Sequence, residues 1–285
     1  MSDAARVLLR DWLFRRLDAT AKDWLANQIT MLAWDRSDQA LFTTFGMLPR
    51  RLGKAALELQ AEDVSAAERC IQGWSPGGWT LADAGRVLLL AGLPGKDPDF
   101  APRFRSLCQT ADVAEAISLY RGLPLYPGPA TIEPLVGEGL RTNMRSVFEA
   151  IAHHNPYPKT FFDTHRWNHM VLKALFIGSR LSPIQGLDKR ANEELARIMR
   201  DFAHERWAAG RGVPFEIWRC VGPFAHGAAL QDLERVLSTG TPLEQQAAGL
   251  ALSASPDPAA TGLLEMIPEI AANIDSGRLT WAVLQ

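Results

Sequence analysis

LDATAKDWLANQITML, residues 17–32, decides the fold class. Its apolar side chains recur every three or four residues, which is the spacing of one face of an α-helix. Asp18 or Thr20 can cap the first turn, because a short side-chain oxygen there accepts a hydrogen bond from a free backbone N–H. The pattern returns along the chain, and no stretch shows the sustained alternation that is typical of a half-buried strand. The sequence therefore predicts an all-α protein.

Further helices are predicted from the same signals. SDQALFTTFGMLPRR (37–51) predicts a helix that ends at Gly46, before Pro49, and Thr80 is expected to cap a later helix. The three longest helices are predicted at about 131–155, 163–178 and 191–209.

The C-terminal part predicts a short helical hairpin, QDLERVLSTG followed by PLEQQAAGLALSAS, broken at Gly240-Thr241-Pro242. A further helix in ATGLLEMIPEIAANI is interrupted at Pro268. This arrangement resembles HEAT-type repeats, but a free-standing solenoid needs about three repeats. We therefore predict a multi-helical α/α body of antiparallel helices with a HEAT-like C-terminal hairpin layer. The expected organisation is one helical domain, 1–285, with sub-layers 1–221 and 222–285.

Composition limits the function classes. The chain has 285 residues, 47% of them hydrophobic, and a formal net charge of −2, so it lacks the basic character of a nucleic-acid-binding protein. Cys70, Cys108 and Cys220 are odd in number and far apart, which argues against disulfides and against a cysteine zinc site. The longest apolar run, VLLLAGL, is too short to cross a bilayer. We expect a cytoplasmic protein with no transmembrane segment and no nucleic-acid partner.

EGLRTNMRSVFEAIAHHNPYP (138–158) gathers polar side chains around an apolar arc. On a continuous helix Arg141 flanks this arc on one side, and Asn143 and His154 flank it on the other. A polar group at the rim of a buried face needs a hydrogen-bond partner. That partner is either a neighbouring side chain or a ligand.

The next two helices pose the same choice. Trp167 lies on one apolar face, whereas His165 and His169 lie on a second, so we expect both histidines to be at least half buried. Two histidines four apart can chelate a metal, but no glutamate follows His165 and spacing assigns no third ligand, so no metal is predicted. Arg206 extends an apolar stripe beside Glu205. Three alternatives stay open for Arg206: its guanidinium reaches solvent at the helix end, pairs with Glu205, or lines a pocket.

Catalytic motifs are missing from the sequence. It contains no GxGxxG, GxxxxGK[ST] or GxSxG motif and no DDxxD run. The catalytic residues are therefore unknown, and no cofactor is predicted.

Several stretches carry a family resemblance: LYRGLPLYP (119–127), GLRTNMRSVFEAIAHHNPYP (139–158), WNHMVLKALFIGS (167–179) and FAHERWAAGR (202–211). They are similar to the EboA family, and the likeness extends from about Leu9 to about residue 255. The resemblance implies a role in bacterial secondary-metabolite traffic toward the cell envelope. It supplies no catalytic residues.

Three functional hypotheses follow. The first is a non-catalytic protein that binds a small anionic metabolite, or a partner enzyme, in a biosynthesis and export pathway. Its ligand-binding residues are predicted to be Arg141, Asn143, His154, His165, Trp167, His169 and Arg206. The second is an enzyme of the same pathway with one of the three histidines as general acid or base. The third is a pure protein-interaction scaffold.

Overall fold

A computed structural model describes residues 3–34, 37–93 and 100–284. In those ranges the chain forms helices, turns and isolated bridges, among them one between Ala56 and Thr80, and it has no strand. The predicted all-α fold is confirmed. None of the helices described is both long and apolar enough to cross a membrane. The chain divides into two compact units, residues 1–163 and 164–285. The sub-layers 1–221 and 222–285 stay a prediction.

The first unit contains ten α-helices in the described ranges. They are α1 Asp3–Arg16, α2 Ala19–Trp34, α3 Asp38–Leu52, α4 Ala61–Cys70, α5 Leu81–Ala91, α6 Phe100–Thr110, α7 Val113–Arg121, α8 Pro129–Gly139, α9 Arg145–Ala152 and α10 Tyr157–Phe161. Asp18 caps α2, since its carboxylate accepts from the Ala21 N–H at 2.8 Å.

Helix α5 is the centre of this unit, because every residue from Leu81 to Leu90 is buried. Helices α1, α3 and α7 pack against it. Gly85 allows the close approach of α3, since a Cβ atom there would lie 2.5 Å from the Leu52 side chain. Thr80 caps α5 as predicted and accepts from the Asp83 N–H at 3.1 Å.

A buried charge network joins α5 to α7. Arg86, whose side chain is 4% exposed, donates to Ser118 at 3.3 Å and to Glu115 at 3.4 Å. Ser118 donates to Asp83 at 2.5 Å, and Arg121 donates to the same carboxylate at 3.0 Å. Burial lowers the pKa of Arg86, and the carboxylates of Glu115, Asp112 and Asp83 oppose that shift. The network satisfies charges that would otherwise be costly to bury.

Helix α3 corrects one predicted boundary. It continues through Gly46 and Pro49 and ends at Leu52, with Gly53 as its C-cap. Proline has no N–H, so Pro49 cannot donate to the carbonyl of Phe45, four residues earlier. The Arg86 Nε donates to that carbonyl instead, at 3.4 Å. A side chain from α5 thus replaces the hydrogen bond that the proline removes, and the helix continues.

The predicted helix 131–155 is also wrong as a single element. It forms α8 and α9, which are separated by a turn at residues 140–144. In the turn, the Thr142 N–H donates to the Gly139 carbonyl at 3.2 Å, and the Thr142 hydroxyl accepts from the Met144 N–H at 3.1 Å. Glycine favours such a break because it lacks a side chain that supports the helix.

The second unit has seven α-helices in the described ranges. They are α11 Thr164–Phe176, α12 Glu193–Ala208, α13 Ile217–Val221, α14 Ala228–Thr239, α15 Pro242–Ser253, α16 Ala259–Glu265 and α17 Pro268–Asp275. Helix α13 packs against α12 and α15, with Trp218 fully buried. The buried carboxylate of Glu216 accepts from the N–H groups of Leu181 and Ser182 at 2.9 and 2.7 Å. That carboxylate fixes the connection between α11 and α12.

The predicted breaks in the C-terminal part are confirmed. Helix α14 ends before Gly240 and α15 begins at Pro242, where Thr241 caps it. Helix α16 ends at Glu265, and α17 begins at Pro268. Its HEAT-like character stays a prediction.

Arg86 provides a test of the link between α3 and α5. Arg86→Met should reduce the free energy of unfolding by about 3–5 kcal/mol, because it removes the buried guanidinium that pairs with the partly buried Glu115. Pro49→Ala restores the helical donor to the Phe45 carbonyl. In that background the same substitution should cost about 1 kcal/mol less, the value of one hydrogen bond. Urea unfolding of the four proteins measures this coupling.

Arg10→Met is the matched control, since the Arg10–Asp11 pair is exposed. It should change stability by less than about 0.5 kcal/mol. An equal cost of Arg86→Met in both backgrounds would show that Arg86 does not replace the missing helical donor.

Asp63 at the start of α4 links stability to pH. Its carboxylate accepts from the Gln60 N–H at 3.0 Å and from Arg15 at 2.5 Å. Burial by itself would raise the pKa of Asp63, but the hydrogen bonds and the Arg15 charge outweigh it, so the pKa lies below its ordinary value of 3.8. The stabilisation is therefore present above about pH 4 and is lost as pH falls through the depressed pKa.

Asp63→Asn should thus be less stable than the wild type at neutral pH. The difference in stability between the two proteins should become smaller in acid. Urea midpoints measured from neutral pH down to about pH 3 check this. Arg15→Gln removes one of the donors to Asp63. In that background, Asp63→Asn should cost less stability at neutral pH than it does in the wild type. Parallel curves for the wild type and Asp63→Asn would contradict the assignment.

Candidate functional site

The first unit contains a groove of about 770 Å³. Its walls come from α6, α7, α8, the turn 140–144 and the start of α9. We call it the α6–α8 groove. Ala116, Leu135, Met144 and Val147 give it an apolar surface. The volume lies within the range of roughly 300–1,000 Å³ that is typical of small-molecule sites.

Close packing of α7 and α8 shapes one wall. A Cβ atom at Gly139 would overlap the Tyr120 side chain, so only glycine lets the end of α8 approach this ring. Tyr120 also makes an edge contact with Phe104 of α6, with ring centroids 6.3 Å apart. The groove is therefore built on packed helices and is partly preformed.

Two arginines supply positive charge. Arg141 lies in the turn after α8, with a side chain that is 79% exposed, and pairs with Glu138 at 3.3 Å. Arg105 of α6 is also exposed and lines the groove. An exposed ion pair contributes less than about 1 kcal/mol, so an anionic ligand can displace Glu138 from Arg141 at small cost.

Burial keeps the thiol of Cys108 and the phenol of Tyr120, which both line the groove, in their neutral forms. Burial raises the pKa of the Cys108 thiol to about 12, despite a hydrogen bond with Tyr120 that lowers it. Burial also raises the pKa of the Tyr120 phenol, and the neighbouring Cys108 adds to the shift. A thiol must ionise to act as a nucleophile. The raised pKa of Cys108 therefore disfavours its thiolate at neutral pH.

The other two predicted residues of this unit lie outside the groove lining. Asn143 is exposed in the turn beside Arg141. His154 is exposed and lines a different, smaller cavity of about 230 Å³. The sequence placed all three residues at the rim of one continuous helix. That geometry does not exist, because the helix breaks at residues 140–144.

The remaining predicted residues lie in the second unit. His165 and His169 are neighbours on α11, with ring centroids 4.3 Å apart, and both are exposed rather than buried as expected. Trp167 is fully buried, and Arg190 stacks over its ring at 4.7 Å. Arg206 donates to the Gly212 carbonyl and lies 5.7 Å from the Phe202 ring centroid. Arg206 therefore makes local contacts at the end of α12.

Metal ligation has no support in the part of the chain that is described. No group of three or more histidine, cysteine, aspartate or glutamate side chains there is placed to hold an ion. His165 and His169 therefore form a pair without a third ligand from these residue types.

Comparison with known proteins identifies one family for most of the chain. The family model described as "Metabolite traffic protein EboA" matches residues 5–222. The chain belongs to the EboA family. No curated protein and no solved structure matches it. The EboA match ends after α13, whereas the resemblance in the sequence was expected to reach about residue 255. The groove lies entirely inside the EboA match, and α14–α17 lie outside it.

Sequence reasoning missed the α6 side of the groove. Arg105 and Cys108 lie on α6, a helix that was not among those predicted. The signal was present, since Phe100, Phe104 and Leu107 recur at spacings of four and three. Which of its polar residues face α8 depends on how the helices pack.

Gly139 tests whether packing of α7 on α8 shapes the groove. Gly139→Ala should lower the free energy of unfolding by about 1–3 kcal/mol, because the new methyl group overlaps Tyr120. Gly46→Ala is the matched control, since Gly46 is exposed in α3 and a Cβ there meets its nearest atom at 3.8 Å. It should be neutral or stabilising by up to about 1 kcal/mol. Equal urea midpoints for both variants would contradict this packing.

Proposed function

We propose that this EboA-family chain is a non-catalytic protein that binds a small anionic metabolite in the α6–α8 groove. The observation that carries the proposal is a groove with apolar walls and two exposed arginines, Arg105 on α6 and Arg141 in the turn after α8, inside the family match. The family description, metabolite traffic, agrees with reversible binding rather than with chemical conversion.

The shape and lining of the groove favour a ligand with an apolar body. Leu135, Met144 and Val147 lie on three different elements around the same volume. Met144 is 48% exposed, and methionine adapts its shape to irregular partners. Covering such side chains contributes roughly 25 cal/mol for each Å² of apolar surface removed from water.

Two carboxylates, Asp112 and Glu138, line the groove beside two arginines, and it is the arginines that favour an anionic head group. Guanidinium forms two parallel hydrogen bonds with a carboxylate or phosphate, which lysine cannot do. Arg141 has one weak partner, and Arg105 has no ion pair with any described residue. A ligand anion that bonds to Arg141 takes the place of Glu138. We propose that Arg141 and Arg105 hold the head group.

The other predicted residues extend this proposal. Asn143 follows Arg141 in the same exposed turn and can add a hydrogen bond to the head group. His154, His165, Trp167, His169 and Arg206 stay predicted ligand-binding residues whose role rests on the sequence. The enzymatic alternative needs one of the three histidines as acid or base, and the scaffold alternative needs a protein partner.

Arg141 provides the direct test. A fatty-acid analogue with a dansyl group, such as dansylaminoundecanoic acid, serves as an anionic probe with an apolar chain. Arg141→Ala should weaken its binding by about ten- to a hundredfold, the value of a lost hydrogen bond to a charged group. Fluorescence titration measures the dissociation constant. The melting temperature should change by only a few degrees, because the side chain is exposed.

Arg145→Ala is the matched control. Arg145 is four residues further on and forms an exposed pair with Glu149 at 2.7 Å, but it does not line the groove. Its dissociation constant should equal that of the wild type. If Arg141→Ala and Arg105→Ala both bind the probe as the wild type does, the site is elsewhere.

A further inference from the structure

One of the smaller cavities of the first unit, the one that His154 lines, differs in chemistry from the groove. Helices α7 and α9 border both cavities with different residues. This smaller cavity is lined by Ile117 and Arg121 of α7 and by Ser146 and Glu149 of α9. Trp74, Trp79, His153 and His154 also line it. We call this cavity the histidine cleft. Its volume is about 230 Å³, roughly that of eight water molecules.

The backbone at His154 is held in an unusual conformation. Its φ is +50°, in the left-handed region, where glycine is unstrained and other residues cost energy. Asn155, which is 3% exposed, fixes this turn. Its amide donates to the carbonyls of Tyr120 and Ala150 at 3.0 and 3.1 Å, and its oxygen accepts from the Tyr157 N–H at 3.0 Å. The fold thus holds an imidazole where glycine would fit more easily.

Arg121 brings free hydrogen-bond donors to the cleft. Arg121 bonds to Asp83 and to the Gly78 carbonyl through Nη1 only, so Nε and Nη2 have no bond to a described residue. Ser75, Ser146 and His154 also line the cleft and can donate hydrogen bonds. The one carboxylate among the lining residues, Glu149, already accepts from Arg145 at 2.7 Å. A ligand that complements this lining must bring acceptors.

The rest of the lining is flat and apolar. Trp74 and Trp79 are 2% and 4% exposed and border the cleft together with Ile117 and Ala150. Large buried rings change position little, so they form a rigid wall against which a planar ligand can pack. The cavity is too small for the long apolar ligand proposed for the groove.

We propose that the histidine cleft binds a small organic carboxylate, with Arg121 and His154 as donors to its two oxygens and the tryptophans beside its apolar part. The left-handed turn keeps the His154 ring at the cleft. This site is separate from the α6–α8 groove, and its existence does not depend on the function proposed for the groove.

Benzoate, titrated into the full-length protein, is the probe. The protein has six histidines, so their ring Cε1–Hε1 signals can be followed one by one in NMR spectra and assigned by substitution. Benzoate should shift the His154 signal in a saturable way. Benzamide, which has the same ring without the charge, and sodium chloride at equal ionic strength should not. A linear response equal to that of chloride would overturn the proposal.

His154→Gly separates binding from folding. Glycine adopts the left-handed conformation without strain, so the melting temperature should stay or rise, while benzoate affinity, followed by the quenching of tryptophan fluorescence, falls by roughly tenfold or more. Glu58→Gly is the matched control, because Glu58 is the other non-glycine residue with positive φ in the described ranges, at +52°. It should preserve affinity. His154→Asn, which tolerates this backbone and retains a donor, should restore part of it.

Undiminished benzoate affinity in His154→Gly would overturn the site. A loss of benzoate affinity in Arg141→Ala but not in His154→Gly would place benzoate in the α6–α8 groove. That result would also overturn the site in the histidine cleft. The opposite pattern supports the histidine cleft, whatever the outcome for the groove.

Discussion

The guanidinium of Arg86 is the interaction on which the first unit depends. It lies within the most buried helix, α5, and contacts α3 through the Phe45 carbonyl and α7 through Glu115 and Ser118. The two carboxylates of this network have double roles. Asp83 caps α5 and accepts from Arg121, whereas Glu115 caps α7 and accepts from Arg86. A buried charge of this kind tolerates only one arrangement of its neighbours, so the network fixes how the three helices pack.

That constraint extends to both cavities through α7. One face of α7 presents Ala116 and Tyr120 to the α6–α8 groove, and another presents Ile117 and Arg121 to the histidine cleft. Because Arg121 belongs to the Arg86 network, its position is set by the same contacts that stabilise the fold. Helices α7 and α9 border two cavities of different chemistry, an arrangement that suits a protein that binds small molecules. In both cavities the groups that we propose to bind a ligand lie on packed helices or on short turns between them.

Apolar periodicity and capping residues predicted most of the helices. The apolar spacing in residues 17–32 and the caps at Asp18 and Thr80 depend on local chemistry, and the structure confirms them. The failures have one cause. Pro49 reads as a helix stop unless a donor from elsewhere reaches the Phe45 carbonyl, and that donor, Arg86, is 41 residues away. Likewise, the packing that surrounds the break after Gly139 depends on Tyr120 of another helix.

The sequence by itself determined the helical class and the family, and it singled out Arg141 as a candidate ligand-binding residue. These follow from local spacing and from the wording of short stretches, both of which are present before the chain folds. Only the tertiary structure decided that Arg141 borders a groove with Arg105, and that His154 borders a separate cleft with Arg121. Cavities are defined by side chains that are distant in sequence, and their positions depend on how whole helices pack rather than on any one helix.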